Sequence, residues 1–128
     1  GFALYDLMGI ERRDHAARDA QALRNFLFFD APVGLFVTLD RRLDVGSWID
    51  CGMFLQSILL AARGVGLETC AQAAWVRHGG TVRRVLGIGD EQVLISGVAL
   101  GHADPDAPEN RLVTDREPVA AFTTFHEE

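Results

Sequence analysis

The sequence predicts an α+β domain. Two short apolar runs, 33–39 and 93–100, are rich in β-branched residues, as buried strands are. Two other segments, 14–28 and 47–63, have the composition and spacing of helices. The chain of 128 residues is 48% hydrophobic and 23% charged, which is enough for one globular domain with its own core. We therefore treat residues 1–128 as a single domain.

The first part of the chain is predicted to be helical. Residues 2–10 read as a short helix that ends at Gly9. In 14–28, Asp14 stands where a helix N-terminus is expected. Apolar residues then recur at spacings of three and four and form a stripe that faces the core: Ala16, Ala20, Leu23 and Leu27. Pro32 separates this helix from the first strand.

The helix predicted over 47–63 has almost no polar face. Ser47 and Asp50 form a capping-box pattern at its start, and Gly64 is expected to close it in the left-handed conformation. A helix that is apolar nearly all round is buried in a core or in an interface. In a chain of this size, that pattern suggests a partner subunit.

The remaining elements are shorter. Residues 66–70 are expected to be extended, and 81–86 to form a helix. A long loop is expected over 101–117, because turn-forming residues and prolines cluster there. Residues 119–125 are predicted to form a last strand.

Composition excludes several classes of function. The net charge is −6 and the pI is near 5.1, with 12 basic residues, all arginine, against 18 acidic ones. Nucleic acid and anionic membranes are therefore poor partners.

The first residues lack the basic start and apolar run of a signal peptide. The most apolar stretch, 53–62, is shorter than the ~20 residues that a membrane span needs. The cytoplasm is the expected location.

No metal site or catalytic side chain is predicted. The four histidines are scattered, and Cys51 and Cys70 have no metal or redox spacing, so both are expected to be buried thiols. No serine lies in a nucleophile-elbow motif. Gly64 and Gly66 match only two positions of the dinucleotide fingerprint and follow a helix, which rules out a Rossmann site there.

A series of residues spread over about a hundred positions carries a resemblance to a known family. The blocks, in chain order, are Asn25, Phe28-Phe29-x-Ala31-Pro32-Val33, Ser47-Trp48-x-Asp50-x-Gly52-Met53-x-x-Gln56, Leu60-Ala61-Ala62-x-x-x-Gly66-Leu67-x-Thr69-Cys70-x-Gln72-Ala73-Ala74-Trp75, Val82-Arg83-Arg84-x-Leu86-Gly87-Ile88, Gly97-x-Ala99-Leu100-Gly101, and Asn110 with Arg116 and Pro118. Together they resemble the FMN-dependent nitroreductases, in particular the bacterial branch that acts on nitroaromatics. The chain is similar to the C-terminal portion of that family's domain.

The resemblance implies a three-layer α/β/α sandwich with a small mixed sheet. It also implies a homodimer with FMN at the subunit interface. NADH or NADPH would supply electrons, and a nitroaromatic, a quinone or a related small molecule would accept them. A reductive dehalogenase or a flavin-destroying relative is the alternative within the superfamily.

The resemblance places the cofactor on four residues. The turn Gln72-Ala73-Ala74 would present backbone N–H groups to the flavin, with Ala73 nearest N5, and Arg116 would bind the phosphate. Read without the family, the turn simply joins a strand to a helix, and Arg116 is a solvated arginine between two acids.

Two departures from the family pattern bear on the cofactor site. Ala71 stands where many relatives have proline. The family's opening Arg-Arg-Ser motif, and the later Pro-Ser and Asn that hold the ring, have no counterpart and would precede Gly1. The N-terminal part of the domain is thus expected to be missing. The alternative function is a non-enzymatic dimerisation or binding module that keeps the fold without flavin.

Overall fold

A computed structural model of the chain describes residues 2–126. Its α-helices and strands are α1 (Phe2–Leu7), α2 (His15–Leu23), β1 (Val33–Asp40), α3 (Val45–Gly64), β2 (Glu68–Gln72), α4 (Gly79–Leu86) and β3 (Gln92–Gly101). Four 3-10 segments complete the order: Arg24–Asp30, Ala73–His78, Pro108–Arg111 and Val119–Ala121. Helices with one small sheet confirm the predicted α+β class.

The three strands form one sheet in the order β1-β3-β2. Both pairings are antiparallel, whereas the family resemblance implies a mixed sheet; no parallel pair occurs among the strands of residues 2–126. The central strand β3 contributes more to the core than any other described element, since Leu94, Val98 and Ala99 are all buried. Helix α3 packs against β1 and β2, while Ala73–His78 packs closely on β3.

One register row positions the functional site. Gly97 of β3 pairs with Phe36 of β1 on one side and with Gln72 of β2 on the other. Side chains of directly paired residues project from the same face of a sheet. Phe36 and Gln72 therefore flank, on one face, the open space above Gly97.

The predicted helix over 14–28 ends early. Asp14 is the N-cap, as expected, and its carboxylate accepts a hydrogen bond from the Ala17 N–H at 2.9 Å. The regular helix stops at Leu23, and the chain then turns through the left-handed region at Phe28 and Phe29, with φ of 51° and 53°. Bulky residues rarely adopt that conformation, so tertiary packing overrides the local helical preference here.

Helix α3 is longer than predicted and has different caps. It begins at Val45 with Asp44 as the N-cap, so Ser47 lies inside the helix and does not cap it. The left-handed glycine that ends the helical region is Gly66, with φ of +79°, because Gly64 is still helical. The observed helix of 20 residues is long and apolar enough to cross a membrane, contrary to the shorter run read from the sequence.

Most of α3 is exposed in the single chain. Only Cys51 and Ala62 are buried along it. The exposed side chains include six large apolar ones: Val45, Trp48, Ile49, Met53, Phe54 and Leu60. A group of large apolar side chains exposed along one helix marks a site of association.

The predicted last strand is wrong. Residues 119–125 contain the short 3-10 segment Val119–Ala121 followed by irregular chain, and they pair with no strand of residues 2–126. Phe122 and Phe125 are exposed. β-branched and aromatic residues favour a strand only where a neighbouring strand supplies hydrogen bonds and packing, which this segment lacks.

Candidate functional site

The candidate site is the turn where β2 ends and the 3-10 segment Ala73–His78 begins. The N–H groups of Ala73 and Ala74 open this segment, and the first N–H groups of a helix have no partner inside it. The side chain of Ala73 is exposed and that of Ala74 is half-buried. The turn therefore presents backbone donors next to side chains too small to block a ligand.

Gln72 plays a different part from its two neighbours. Its side chain is only 2% exposed. The Nε2 group donates a hydrogen bond to the backbone carbonyl of Asn25 at 2.8 Å and lies 3.4 Å from Asn25 Oδ1. Its Oε1 atom is buried and has no partner among the described residues. The carboxamide thus joins the turn to the Arg24–Asp30 segment.

Trp75 anchors the other side of the turn. A Cβ added at Gly97 would lie only 2.3 Å from Trp75 Cδ1, so the indole occupies the space that glycine leaves open. Phe28 stacks on Trp75 with a centroid separation of 5.0 Å, and Phe36 and Phe26 meet its ring edge-on at 5.0 and 5.1 Å. This aromatic cluster of Phe26, Phe28, Phe36 and Trp75 holds the turn against the sheet.

Two cavities are lined by neighbours of the turn, Cys70 in one and Trp75 in the other, but Gln72, Ala73 and Ala74 line neither of them. The first, of about 500 Å³, is lined by the Arg24–Asp30 segment, β2 and the loop after β3. In it, Arg24 pairs with Glu109 at 2.9 Å and with Asp30 at 3.3 Å, so its charge is already balanced. The second, of about 490 Å³, is an apolar groove between the aromatic cluster and α4.

Arg116 is not brought to the turn by the described residues. It is exposed and lines neither cavity. Its Nη1 group donates to the Thr114 hydroxyl at 2.7 Å and to the carbonyls of Thr114 and Asp115, each at 3.1 Å. These contacts orient the side chain within its own loop. Its role at a phosphate therefore stays a prediction.

Three titratable groups among the described residues have shifted pKa values, Asp40, Arg42 and Cys70, and none belongs to the turn Gln72-Ala73-Ala74. Hydrogen bonds from the side chain and backbone of Arg42 lower the pKa of Asp40 to about 2. Desolvation by neighbouring atoms raises the pKa of the Cys70 thiol. Cys70 is exposed, whereas the sequence predicts a buried thiol. A raised pKa disfavours the reactive thiolate. No group of three metal-binding side chains occurs among residues 2–126.

Comparison with known families identifies the fold. The profile of the Nitroreductase family matches residues 5–102, which include β1, α3, the turn and β3. The chain belongs to the nitroreductase family.

Curated relatives match this nitroreductase-family chain over nearly its whole length. A nitrobenzene nitroreductase of Ectopseudomonas oleovorans is 45% identical over 122 residues, which make up 95% of this chain and 54% of that protein. A 4-nitrobenzoate reductase of Pseudomonas putida is 41% identical over 125 residues, 98% of this chain and 55% of that protein. The chain thus spans about half the length of the curated relatives that it matches.

Solved structures agree with this assignment. An FMN- and NADPH-dependent nitroreductase, NfnB from sphigopyxis sp. strain HMH, superposes with a TM-score of 0.96 at 43% identity, covering 100% of this chain and 57% of that one. NfnB of Mycobacterium smegmatis, solved in complex with NADPH, superposes with a TM-score of 0.90 at 26% identity, covering 97% and 55%. The nitroreductase fold predicted from the resemblance is confirmed.

Sequence reasoning located the turn but missed its supports. Asn25, Phe28 and Gly97 appeared only as parts of the matching pattern, and none was given a role. The available signal was Gly97, because a glycine inside a strand marks a place where another group approaches closely. The partner of Gln72 carried no local signal, since Asn25 lies 47 residues earlier.

Proposed function

We propose that this chain is the larger part of an FMN-dependent nitroreductase domain that transfers two electrons from NADH or NADPH to nitroaromatics, quinones or related acceptors. The observation that carries the proposal is the 45% identity to a nitrobenzene nitroreductase over 95% of the chain. Two relatives named as nitrobenzoate reductases, at 41% and 40% identity, support the same substrate class. Residues 1–128 would form one partial domain of that enzyme.

The turn Gln72-Ala73-Ala74 fits the polar edge of a flavin. Ala73 and Ala74 are the first residues of the 3-10 segment, so their backbone N–H groups have no partner inside it and lie beside small side chains. Backbone donors of this kind orient a flavin ring and adjust its potential. Bound FMN would supply hydride exchange between the nicotinamide and the acceptor. The donors of this chain would hold the N5 edge of the ring and stabilise negative charge as it develops there. No side chain of the turn titrates, so we assign none of these residues an acid–base role.

Arg116 is the proposed phosphate contact. All its hydrogen bonds within the described residues come from Nη1, which leaves Nε and Nη2 able to donate to an anion. A guanidinium presents such donors as a planar fork, which matches phosphate geometry. Arg116 lies on an exposed loop, outside the helices and outside both cavities. The phosphate could belong to FMN held in the same subunit or across a dimer.

The assembly we propose is a homodimer built on α3. Phe54 and Leu60 are 60% and 63% exposed, although neither side chain has a polar atom. A second copy would cover this face and remove it from water. In such a dimer the apolar face of α3 is no longer exposed to water. We therefore place the protein in the cytoplasm.

A second candidate function is a non-enzymatic dimerisation or binding module. The observation in its favour is the exposed apolar face of α3, because such a surface can associate with a partner whether or not flavin is bound. A module of this kind would keep the exposed α3 face and the sheet but hold no flavin. The two candidate functions differ in whether the purified protein holds FMN.

The experiment is to purify the full gene product that contains these residues and to release any bound cofactor by denaturation. The enzyme proposal expects a yellow protein that releases FMN in a ratio of about one per subunit, since the proposed site includes one turn in each chain. A colourless protein that also fails to take up added FMN would favour the binding module.

A further inference from the structure

We propose that Gln72 is a positioning residue, which sets the direction of the Ala73 and Ala74 N–H groups through its hydrogen bond to Asn25 and does not contact the cofactor. This inference rests on the proposed function, because it concerns how the flavin-binding turn is held. It divides the turn into two donors that face a ligand and one side chain that faces the protein.

Burial separates Gln72 from the ligand-facing residues. Its side chain is 2% exposed, whereas Ala73 directly after it is exposed. A cofactor bound against the outer surface of the turn cannot reach the Gln72 carboxamide. Through its pairing with Gly97, Gln72 instead projects from the sheet face on which Trp75 lies.

The hydrogen bond from Gln72 fixes the start of the turn. The Nε2–Asn25 O distance of 2.8 Å is that of a well-formed bond, and it is partly buried. Gln72 is the last residue of β2 and immediately precedes Ala73. Any movement of Gln72 therefore rotates the peptide that carries the Ala73 N–H.

The Asn25 carbonyl is itself held in place. The Arg24–Asp30 segment is held to the loop after β3 by the ion pair of Arg24 with Glu109, and its two ends are joined by the ion pair of Arg24 with Asp30. Further along, Phe28 adopts a left-handed φ of 51° and stacks on Trp75. The Arg24–Asp30 segment therefore contacts the chain on both sides of the turn, at Gln72 before Ala73 and at Trp75 after Ala74.

This arrangement predicts an effect on the flavin itself. Donors that are fixed before charge develops stabilise it without reorganisation, whereas loose donors do so less well. Loss of the Gln72 bond should therefore weaken FMN binding and shift the midpoint potential of bound FMN. A residue needed only for folding would lower stability and leave the potential of the correctly folded fraction unchanged.

The test compares three variants of the full gene product. Gln72→Met keeps the length of the side chain but removes the donor, and we expect its Kd for FMN to rise about tenfold, with a changed potential and a lower kcat. Gln21→Met makes the same chemical change on α2, where Gln21 forms no side-chain hydrogen bond with the described residues, and should behave as wild type. The potential would be measured by dye-linked reductive titration, and Kd by flavin fluorescence.

Gln72→Glu gives a second, pH-dependent readout. Burial raises the pKa of a carboxyl group, and the protonated form can still donate to the Asn25 carbonyl. At low pH the Glu variant should therefore bind FMN nearly as wild type does, and as pH rises and the proton is lost it should approach or exceed the defect of Gln72→Met. This profile decides the matter if the Met variant does not fold.

The possible failures are distinct. A wild-type protein that binds no FMN overturns the proposed function, and this inference with it. A wild type that binds FMN, alongside a Gln72→Met variant with unchanged potential and Kd, overturns the positioning role alone. A Gln72→Glu variant whose FMN affinity follows that of wild type at every pH leads to the same conclusion.

Discussion

The indole of Trp75 lies over Gly97, in space that any larger residue at position 97 would fill. The nearest indole atom, Cδ1, is 2.3 Å from where a Cβ would stand. Gly97 is central in its register row, between Phe36 and Gln72. The glycine therefore lets the segment after the turn close onto the sheet, and it connects a backbone feature of β3 to the geometry of the candidate site.

Substitution of Gly97 by alanine should destabilise the protein. The added methyl group must displace Trp75 or bend β3, and overpacking of this kind costs roughly 1–3 kcal/mol. The free energy of unfolding would be measured by urea denaturation followed by tryptophan fluorescence. Gly80→Ala is the control, since a Cβ at Gly80 of α4 meets nothing within 4 Å. Equal losses in both variants would contradict the proposed contact.

A charge on the exposed face of α3 should break the dimer. Leu60→Asp places a carboxylate where we expect a second copy to pack, and a desolvated, unpaired charge is strongly unfavourable. Size-exclusion chromatography with light scattering should report a monomer or an aggregate. Leu43→Asp serves as the control, because Leu43 is 45% exposed and lies outside the helix. If Leu60→Asp remains a dimer, α3 is not the interface.

Arg116→Ala should weaken FMN binding in the full gene product. It removes one charge-assisted hydrogen bond of about 1.5–3 kcal/mol, so Kd should rise at least about tenfold. Arg116→Lys should recover only part of the affinity, since a lysine has no planar fork. Arg111→Ala is the matched control, because Arg111 is also exposed and donates to the Asp106 carbonyl in the preceding loop. Unchanged affinity in Arg116→Ala would make this residue an ordinary solvated arginine.

Arg42→Ala should raise the pKa of Asp40. The carboxyl group titrates at about 2 in place of its ordinary 3.8, first because the Arg42 side chain donates to it. A depressed carboxyl pKa favours the folded state above the unfolded value of 3.8, and that contribution is lost as pH falls toward 2. NMR titration of Asp40 would follow the change. A pKa that stays near 2 without Arg42 would show that another group is responsible.

The parts of the fold that follow from local pattern were predictable. The runs that became β1 and β3 are apolar and β-branched, and α3 is continuous and apolar, so local composition locates all three. The Arg24–Asp30 segment was not predictable, because Phe28, one of its left-handed residues, stacks on Trp75, which is distant in the sequence. The last segment was wrongly predicted as a strand, since composition does not reveal whether a partner strand exists.

The sequence proposes a place for the candidate site but does not show how that part of the chain is built. The resemblance pointed to Gln72, Ala73 and Ala74, and the chain does make a sharp strand-to-helix turn there. It gave the three residues one role, whereas burial sets Gln72 apart from the other two. That difference arises from the pairing of β2 with β3 and from the contact with Asn25, and neither can be read from neighbouring residues.

A steady-state assay of the full gene product with FMN, NADPH and nitrobenzene, repeated with NADH, tests the proposed nitroreductase activity directly. We expect sustained NAD(P)H oxidation only when the protein holds FMN and an acceptor such as nitrobenzene is present, with nitrobenzene reduced in step. An FMN-saturated protein that oxidises neither nucleotide in the presence of nitrobenzene or a quinone would contradict this expectation.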